Sequence, residues 1–199
     1  MSNFSDVHSY YSYQEFMQLM EQLTAAGKTT GPVQSESLIY FTGLNLQRSQ
    51  RWNKTFAVPA NVAVEVSEAH PQIWWVITEA WCGDSAQNLP VINKIAEASG
   101  GVIELRIVLR DEHTEIIDKY LTNGGRSIPK LVSETTDGNE LFTWGPRPVE
   151  AQQIMTEWKA NQAARSHDEV EKDLHLWYAK DKGKSVLNEL VEKMKSNRK

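Results

Sequence analysis

Cysteine is nearly absent from the sequence: Cys82 is the single cysteine in 199 residues. One cysteine excludes a disulfide within the chain, and it excludes zinc or iron–sulfur sites built from several thiolates of the same chain. The first residues, Met1–Asp6, have neither the basic nor the apolar character of a secretion signal. These features predict a cytoplasmic protein. Any chemistry at Cys82 must proceed without a cysteine partner in its own chain.

Long apolar runs and an excess of positive charge are also missing. The longest uninterrupted apolar run, Ile73–Ile77, is far shorter than the roughly 20 residues that span a bilayer. The chain has 21 Lys and Arg against 26 Asp and Glu, a net charge of −5, and no stretch concentrates the cations that phosphates attract. We therefore expect neither a membrane protein nor a nucleic-acid binder. A short basic tail at Lys193, Lys195, Arg198 and Lys199 is expected to be a solvated helix end.

Histidines with the spacing of metal ligands are missing as well. We expect each of the five histidines to be a surface or helix-capping group, and no Cys–His pair can be assigned from the sequence. Gly124-Gly125 is expected to be a turn and not a phosphate-binding loop, because no lysine and helix follow it. We predict no metal site and no bound cofactor. The histidines are His8, His70, His113, His167 and His175.

The N-terminal part of the chain is predicted to be helical. Ser12 and Glu15 have capping-box spacing, and apolar residues follow at helical period until Gly27. Ser35 can cap a second helix that runs towards Trp52. A short third helix is expected after Pro59, beyond the end of this extension.

The middle of the chain alternates predicted strands with predicted helices. The β-rich apolar run at 73–78 is typical of a strand covered on both faces. A helix is predicted after it, from Cys82 to Gly100, and a second strand at 102–109. A crossover helix implies that these two strands are parallel. The remaining elements expected here are a helix over 112–121 and strands at 130–135 and 140–144, joined by a turn at Asp137-Gly138.

The end of the chain is predicted to be helical again. One helix is expected from Val149 to about Arg165, and a second capping box at Ser166 and Glu169 begins the next. Past Gly183 an amphipathic pattern has one apolar stripe, which must lie on the core or on a partner. We thus predict a single domain over 1–199. Its parts are an N-terminal helical extension (1–58), an α/β core with a mixed sheet flanked by helices (59–150), and C-terminal helices (151–199).

Cys82 is predicted to lie where a buried strand ends and a helix begins. Unpaired backbone N–H groups and the positive end of the helix dipole favour a thiolate over a thiol there. A lone cysteine is also commonly a small buried hydrophobic residue. From the residues alone, both interpretations of Cys82 remain open.

Three separated motifs resemble the thioredoxin family. They are Trp81-Cys82-Gly83, Pro90 eight residues beyond the cysteine, and Gly125–Pro129 ahead of a strand. The resemblance covers about residues 60–150 and implies a thioredoxin-like α/β fold with helical extensions at both ends. The run Trp144–Pro148 and the helical N-terminus resemble a bacterial subgroup with a Trp-Cys-Gly-Asp motif, whose function is poorly defined.

The resemblance implies roles for residues of these motifs. Cys82 would be the nucleophile. Pro129 would follow a cis peptide bond that faces Cys82, so that the backbone of Ile128 pairs with an extended substrate segment. Trp81 would form a docking surface beside the sulfur, although an ordinary packed tryptophan explains it equally well, and Gly83 and Asp84 are expected to contact substrate. Pro90 would interrupt the hydrogen bonding of its helix.

The departures from the family pattern restrict the chemistry. Ser85 stands where the resolving cysteine is expected, so the chain cannot close an intramolecular disulfide. The buried acid of the family is Val76 here, and whether Glu79 substitutes for it is open. Asp84 places a negative charge in the first helical turn, which should partly offset the fall in the pKa of Cys82.

The resulting hypothesis is a monothiol thiol–disulfide exchange protein. Cys82 would form a mixed disulfide, Ser85 would hydrogen-bond the sulfur, and an external thiol would resolve the intermediate. The partner would be a peptide disulfide or a small thiol such as glutathione. Alternatives are a sensor whose cysteine is oxidised to sulfenic acid, or a non-catalytic binding module that has lost its resolving cysteine. Whether the protein is an enzyme and which oligomeric state it has are left open.

Overall fold

The structure is a computed structural model and describes residues 2–197. Arg198 and Lys199 of the predicted basic tail, and Met1, lie outside the described residues. Over the described residues the chain forms eight α-helices and four β-strands. These are α1 Tyr13–Ala25, α2 Glu36–Thr55, α3 Ala60–Ser67, β1 Gln72–Thr78, α4 Gly83–Ala98, β2 Ile103–Leu109, α5 Thr114–Ile117, β3 Lys130–Thr135, β4 Glu140–Trp144, α6 Val149–Ala160, α7 His167–Asp181 and α8 Lys184–Ser196.

The four strands form one mixed sheet in the order β2-β1-β3-β4. Strands β1 and β2 are parallel, with Trp74 paired to Leu105, because α4 carries the chain back in the same direction. Strand β3 is antiparallel to both β1 and β4. The predicted mixed sheet flanked by helices is confirmed. Strand β1 lies between β2 and β3, so its carboxyl end is flanked by both of these strands.

Both faces of the sheet are covered, which explains the continuous apolar sequence of β1. Trp74 and Val76 point into the larger core, together with residues of α4 and α8. Trp75 and Ile77 point to the opposite face. There the N-terminal segment packs on the sheet, and the rings of Phe4 and Trp75 stack with centroids 4.6 Å apart.

The predicted starts of three helices are confirmed by their caps. Ser12 and Glu15 form a capping box at α1, Ser35 caps α2 by accepting from the N–H of Leu38, and Ser166 opens α7 in a second capping box. Side-chain caps of this kind satisfy backbone N–H groups that the first helical turn leaves unpaired. The positions of these three helices were therefore readable from local sequence.

Two helices are shorter than predicted. Helix α5 covers only Thr114–Ile117 instead of 112–121, and α6 ends at Ala160 instead of about Arg165. Beyond α5 the chain is held by contacts outside the segment, because the Tyr120 hydroxyl accepts from the Asn3 amide at 2.7 Å and donates to Glu140 at 2.9 Å. Local backbone hydrogen bonds continue as far as Tyr120, but the last two have the spacing of turns and not of an α-helix.

The last helix completes the larger core. The predicted apolar stripe of α8 is buried on the core of this chain, and Trp144 donates its indole N–H to Glu189 of α8 at 2.7 Å. None of the described helices is long and apolar enough to cross a membrane. The buried residues of α8 are Val186, Leu187, Leu190, Val191 and Met194.

Candidate functional site

Cys82 is the N-cap residue of α4, directly after the central strand. Its backbone is extended and its side chain makes no capping hydrogen bond. The backbone N–H of Cys82 donates to the carbonyl of Glu79 at 3.1 Å, which turns the chain from β1 into α4. The sulfur therefore lies at the carboxyl end of β1, the side of an open α/β sheet where binding sites form.

The structure brings Cys82 against the segment that precedes β3. The thiol donates to the carbonyl oxygen of Ile128 at 3.3 Å, and the peptide bond between Ile128 and Pro129 is cis. Cys82 is buried, with 7% of its surface exposed. The sulfur is thus held in a hydrogen bond at the edge of the core.

The Cys82 thiol is less acidic than an ordinary cysteine thiol. Burial raises its pKa to about 11, and the Asp84 carboxylate adds to the increase. Hydrogen bonds from Ser85 and the charge of Arg147 lower the pKa but do not offset burial. Of the two interpretations that the sequence leaves open, the raised pKa agrees with a small buried residue and not with a thiolate favoured by the helix N-terminus. The increase caused by burial is the largest contribution here.

Ser85 lies in the first turn of α4, three residues after Cys82. Its hydroxyl accepts a hydrogen bond from Thr78 at 2.6 Å, and both groups are buried. Because Ser85 accepts this bond, its own proton remains for Cys82, and the hydroxyl lowers the pKa of the thiol. The contact expected between Ser85 and the sulfur stays a prediction, as does its part in catalysis.

Asp84 is held in a buried ion pair. Its Oδ1 accepts from Arg147 Nε at 2.9 Å and from the hydroxyl of Tyr178 at 3.0 Å. Burial raises the pKa of Asp84, while Arg147 opposes that shift. Groups of this chain thus already bind the carboxylate. Any contact between Asp84 and a substrate would be made by a side chain that is also held in this ion pair.

A cavity of about 350 Å³ opens beside Cys82. Four of the predicted substrate-contacting residues line it: Trp81, Gly83, Asp84 and Ile128. Pro129 and Ser85 do not line it. The rim also contains a cation–π contact, with the Arg110 guanidinium 4.8 Å from the centre of the Trp81 ring. The remaining lining residues are Ser37, Leu38, Phe41, Arg48, Arg126, Ser127, Arg147, Glu171 and His175.

His175 is part of this site and was missed by sequence reasoning. It was expected on the surface or at a helix cap, but it lies half-buried on α7 between the side chains of Arg48 and Gln87. Its Nε2 is 3.1 Å from Arg48 Nη2, and its Nδ1 is 3.2 Å from Gln87 Nε2. Burial and the Arg48 charge lower the pKa of His175 to about 4, so the ring is neutral at pH 7. Only the packing of α7 on α2 and α4 brings it here.

Glu79 lies on the core side of Cys82. Its side chain is fully buried, and Oε1 accepts from the backbone N–H of Asp111 at 2.8 Å. Burial raises the pKa of Glu79. Glu79, Cys82 and Ser85 share the lining of a second cavity of about 10 Å³, which is at the lower limit for one water. Whether Glu79 replaces the acid at Val76 remains a prediction.

Metal-ligating side chains do not converge in the part of the chain that the structure describes. Over residues 2–197 no group of three His, Cys, Asp or Glu is arranged to hold an ion. Besides the thiol, the cavity lining contains guanidinium, hydroxyl, carboxylate and imidazole groups.

The fold and the position of the thiol define a thioredoxin-like protein. A family model described as Thioredoxin matches residues 31–159, and the chain belongs to this family. Two crystal structures are similar: a protein of unknown function, PA1234 from Pseudomonas aeruginosa, and an HIV epitope scaffold. No curated protein matches the chain.

The similarity to both structures lies in the fold. PA1234 has 17% identity and a TM-score of 0.58, with 94% of this chain and 98% of that chain covered. The scaffold has 15% identity and a TM-score of 0.55, with coverage of 88% and 97%. Because the PA1234 match extends over nearly all of this chain, it includes helices that precede the sheet in the sequence and helices that follow it.

Proposed function

We propose that the protein exchanges disulfides through the single thiol of Cys82. The proposal rests on the position of the sulfur. It borders the cavity and lies 3.3 Å from the carbonyl oxygen of Ile128, in the segment just before β3. A substrate segment that pairs with the backbone of Ile128 would bring its disulfide to Cys82. Membership of the thioredoxin family supports a redox role.

The exchange takes place in two balanced steps. The Cys82 sulfur attacks one sulfur of a peptide or small disulfide, the substrate S–S bond breaks, and a mixed disulfide forms. The displaced sulfur leaves as a thiolate and takes up the proton that Cys82 released. An external thiol such as glutathione then attacks the substrate sulfur of the mixed disulfide, which frees Cys82 and leaves that thiol joined to the substrate. Ser85 cannot perform this second step.

The neighbouring groups have distinct parts in the proposal. The Ser85 hydroxyl stabilises the thiolate as it forms, because a hydrogen bond to the charged form favours it. Ile128 and Pro129 hold the substrate backbone, and Trp81, Gly83 and Asp84 border the disulfide. The second step requires an external thiol, so we place the protein in the reducing cytoplasm.

The low acidity of the Cys82 thiol favours a second function. With a pKa of about 11, nearly all Cys82 is protonated at neutral pH, and a thiol is a much weaker nucleophile than a thiolate. A non-catalytic module would use the same cavity to bind a partner without turnover. The two functions share the binding site and differ in whether Cys82 forms a covalent bond.

Intact mass after incubation with oxidised glutathione separates these functions. Disulfide exchange predicts an adduct of one glutathione on the folded protein, absent from Cys82→Ala and removed by added thiol. The module predicts that the folded protein forms no adduct while the same chain in denaturant does. Circular dichroism of both samples shows that the folded protein remained folded during the incubation.

A further inference from the structure

The cavity beside Cys82 is lined by an unusual number of guanidinium groups. Four arginines line it against two carboxylates, Asp84 and Glu171. The protein as a whole has a net charge of −5, so the lining has the opposite bias from the rest of the chain. The four arginines are Arg48, Arg110, Arg126 and Arg147.

Three of these arginines are paired with carboxylates of this chain. Arg147 pairs with the buried Asp84, Arg126 contacts Asp118 through two bonds of 2.7 Å, and Arg110 contacts Asp111 at 2.8 Å. A guanidinium has five N–H donors, and a carboxylate takes two of them at most. These pairs hold the guanidinium groups in place and leave donors available to a ligand.

Arg48 differs from the other three because it has no carboxylate partner. Among residues 2–197 no carboxylate oxygen lies within 4 Å of it; it bonds instead to Asn45 Oδ1 at 3.0 Å and to the neutral ring of His175. Burial lowers the pKa of Arg48, and the more distant Glu171 opposes that shift. A guanidinium remains charged under such conditions. Arg48 is thus a half-buried positive charge whose pairing is incomplete.

Arg48 also lies close to the reacting position. A Cβ atom built on Gly83, the residue after Cys82, would be 3.5 Å from Arg48 Nη1 and 3.6 Å from the His175 ring. The absence of a side chain at Gly83 therefore leaves space open between the backbone that follows Cys82 and the Arg48 guanidinium. An acceptor in this space would contact Arg48 inside the cavity that Cys82 also lines.

We propose that the substrate of this site is a small disulfide or thiol that carries a carboxylate near its sulfur, and that Arg48 binds the carboxylate. This inference rests on the proposed exchange function. A carboxylate matches a guanidinium in charge and geometry, and partial burial strengthens the contact. A cavity of about 350 Å³ is at the lower end of the range for small-molecule sites. Arg48 is the specificity-determining residue, and Arg110 and Arg126 add to the positive field.

Three symmetric disulfides of similar size test the charge preference. They are 3,3′-dithiodipropionate, which is anionic, bis(2-hydroxyethyl) disulfide, which is neutral, and cystamine, which is cationic at about pH 8. The rate of mass adduct formation on the folded protein is divided by the rate on the denatured chain, which removes the intrinsic reactivity of each probe. We expect the corrected rate for the anionic probe to exceed that for the neutral probe by about tenfold, and cystamine to be slowest.

Two matched variants assign the preference to one residue. Arg48→Gln should lower the ratio of the anionic-probe rate to the neutral-probe rate from about tenfold towards one. Arg51→Gln removes the same charge from an exposed position of α2, one turn away and outside the cavity lining, and should keep the preference. Added salt should reduce the preference of the native protein only partly, because the site is half-buried.

The outcomes separate this inference from the function it rests on. Equal corrected rates for all three probes, or a preference that Arg48→Gln leaves intact, overturn the role of Arg48 while exchange stands. Absence of any adduct on the folded protein, with normal reaction in denaturant, overturns the exchange function and this inference with it. Faster reaction of a peptide disulfide with neutral flanks than of the anionic probe also contradicts a small acidic substrate.

Discussion

Arg147 forms an ion pair with Asp84, two residues beyond Cys82. The pair is buried, with side chains 16% and 10% exposed, and Tyr178 of α7 donates to the same carboxylate. Asp84 raises the pKa of Cys82, whereas Arg147 lowers it. The pair therefore links the acidity of the thiol to the packing of the C-terminal helices.

Replacing Arg147 should destabilise the protein. Arg147→Met leaves Asp84 buried without its countercharge, and loss of one member of a buried pair costs about 3 kcal/mol or more in the free energy of unfolding. Urea denaturation at neutral pH measures this loss. The matched control, Arg165→Met, breaks the exposed pair with Asp173 and should cost less than about 1 kcal/mol. Equal losses in the two variants would show that the Asp84 pair adds nothing beyond a surface contact.

The alkylation rate of Cys82 should keep rising far into alkaline pH. Because burial raises the pKa of the thiol to about 11, the thiolate fraction grows about tenfold per pH unit up to that value. Iodoacetamide labelling followed by mass spectrometry should show no plateau below about pH 10, whereas the denatured chain should level off near the ordinary thiol value. A plateau near neutral pH in the folded protein would contradict the raised pKa.

The same shift predicts a loss of stability in alkali. The folded pKa lies above the ordinary value of 9.0, so the unfolded chain releases the Cys82 proton first and is favoured as the pH rises from 9 towards 11. Stability from this thiol is complete below pH 9. Comparison of native protein with Cys82→Ala by urea denaturation should show a steeper decline in the native protein over this range. Parallel pH profiles would rule out the effect.

The lowered pKa of His175 predicts a loss of stability in acid. Its pKa falls from 6.5 to about 4 on folding, so the unfolded chain binds the proton first as the pH drops below 6.5. The stability that His175 contributes is present above 6.5 and is lost as the pH falls towards 4. His175→Gln should therefore lose less stability than the native protein between these values, measured by urea denaturation. A variant with an unchanged acid profile would show that His175 is not held neutral by its surroundings.

A second cysteine at position 85 should change the type of reaction. Ser85 lies in the first turn of α4, three residues after Cys82, so Ser85→Cys supplies a thiol that can resolve the mixed disulfide. We expect insulin reduction, followed by turbidity with dithiothreitol as reductant, to appear in this variant. The double variant Cys82→Ala, Ser85→Cys should be inactive. An inactive but folded Ser85→Cys protein would count against a competent site at Cys82.

Most of the fold was readable from the sequence because its signals are local. The capping boxes at Ser12 and Ser166 mark helix starts, and the turn at Asp137-Gly138 marks the β3–β4 hairpin. The segment 112–121 was assigned too long a helix, since its pattern does not reveal that Tyr120 is held by Asn3 and Glu140. The local pattern predicted that a helix forms in this segment, whereas contacts with residues distant in the sequence determine where that helix ends.

The site was only partly readable. Cys82, Ile128 and Pro129 belong to motifs with defined spacing, and the structure places them together. Arg48 and His175 belong to α2 and α7, far from Cys82 along the chain, and no local pattern marks either as part of a site. The acidity of the thiol stayed open at the level of the sequence, because it depends on how deeply tertiary packing buries the sulfur.

The helices outside the sheet provide much of the chemical environment of Cys82. Arg48 comes from α2 and His175 from α7, so both ends of the chain contribute to the lining of the cavity beside Cys82. Transplanting the Trp-Cys-Gly-Asp segment into another thioredoxin scaffold would move the thiol without Arg48 and His175. An engineer who wants the surroundings of this thiol must therefore move the flanking helices along with the loop.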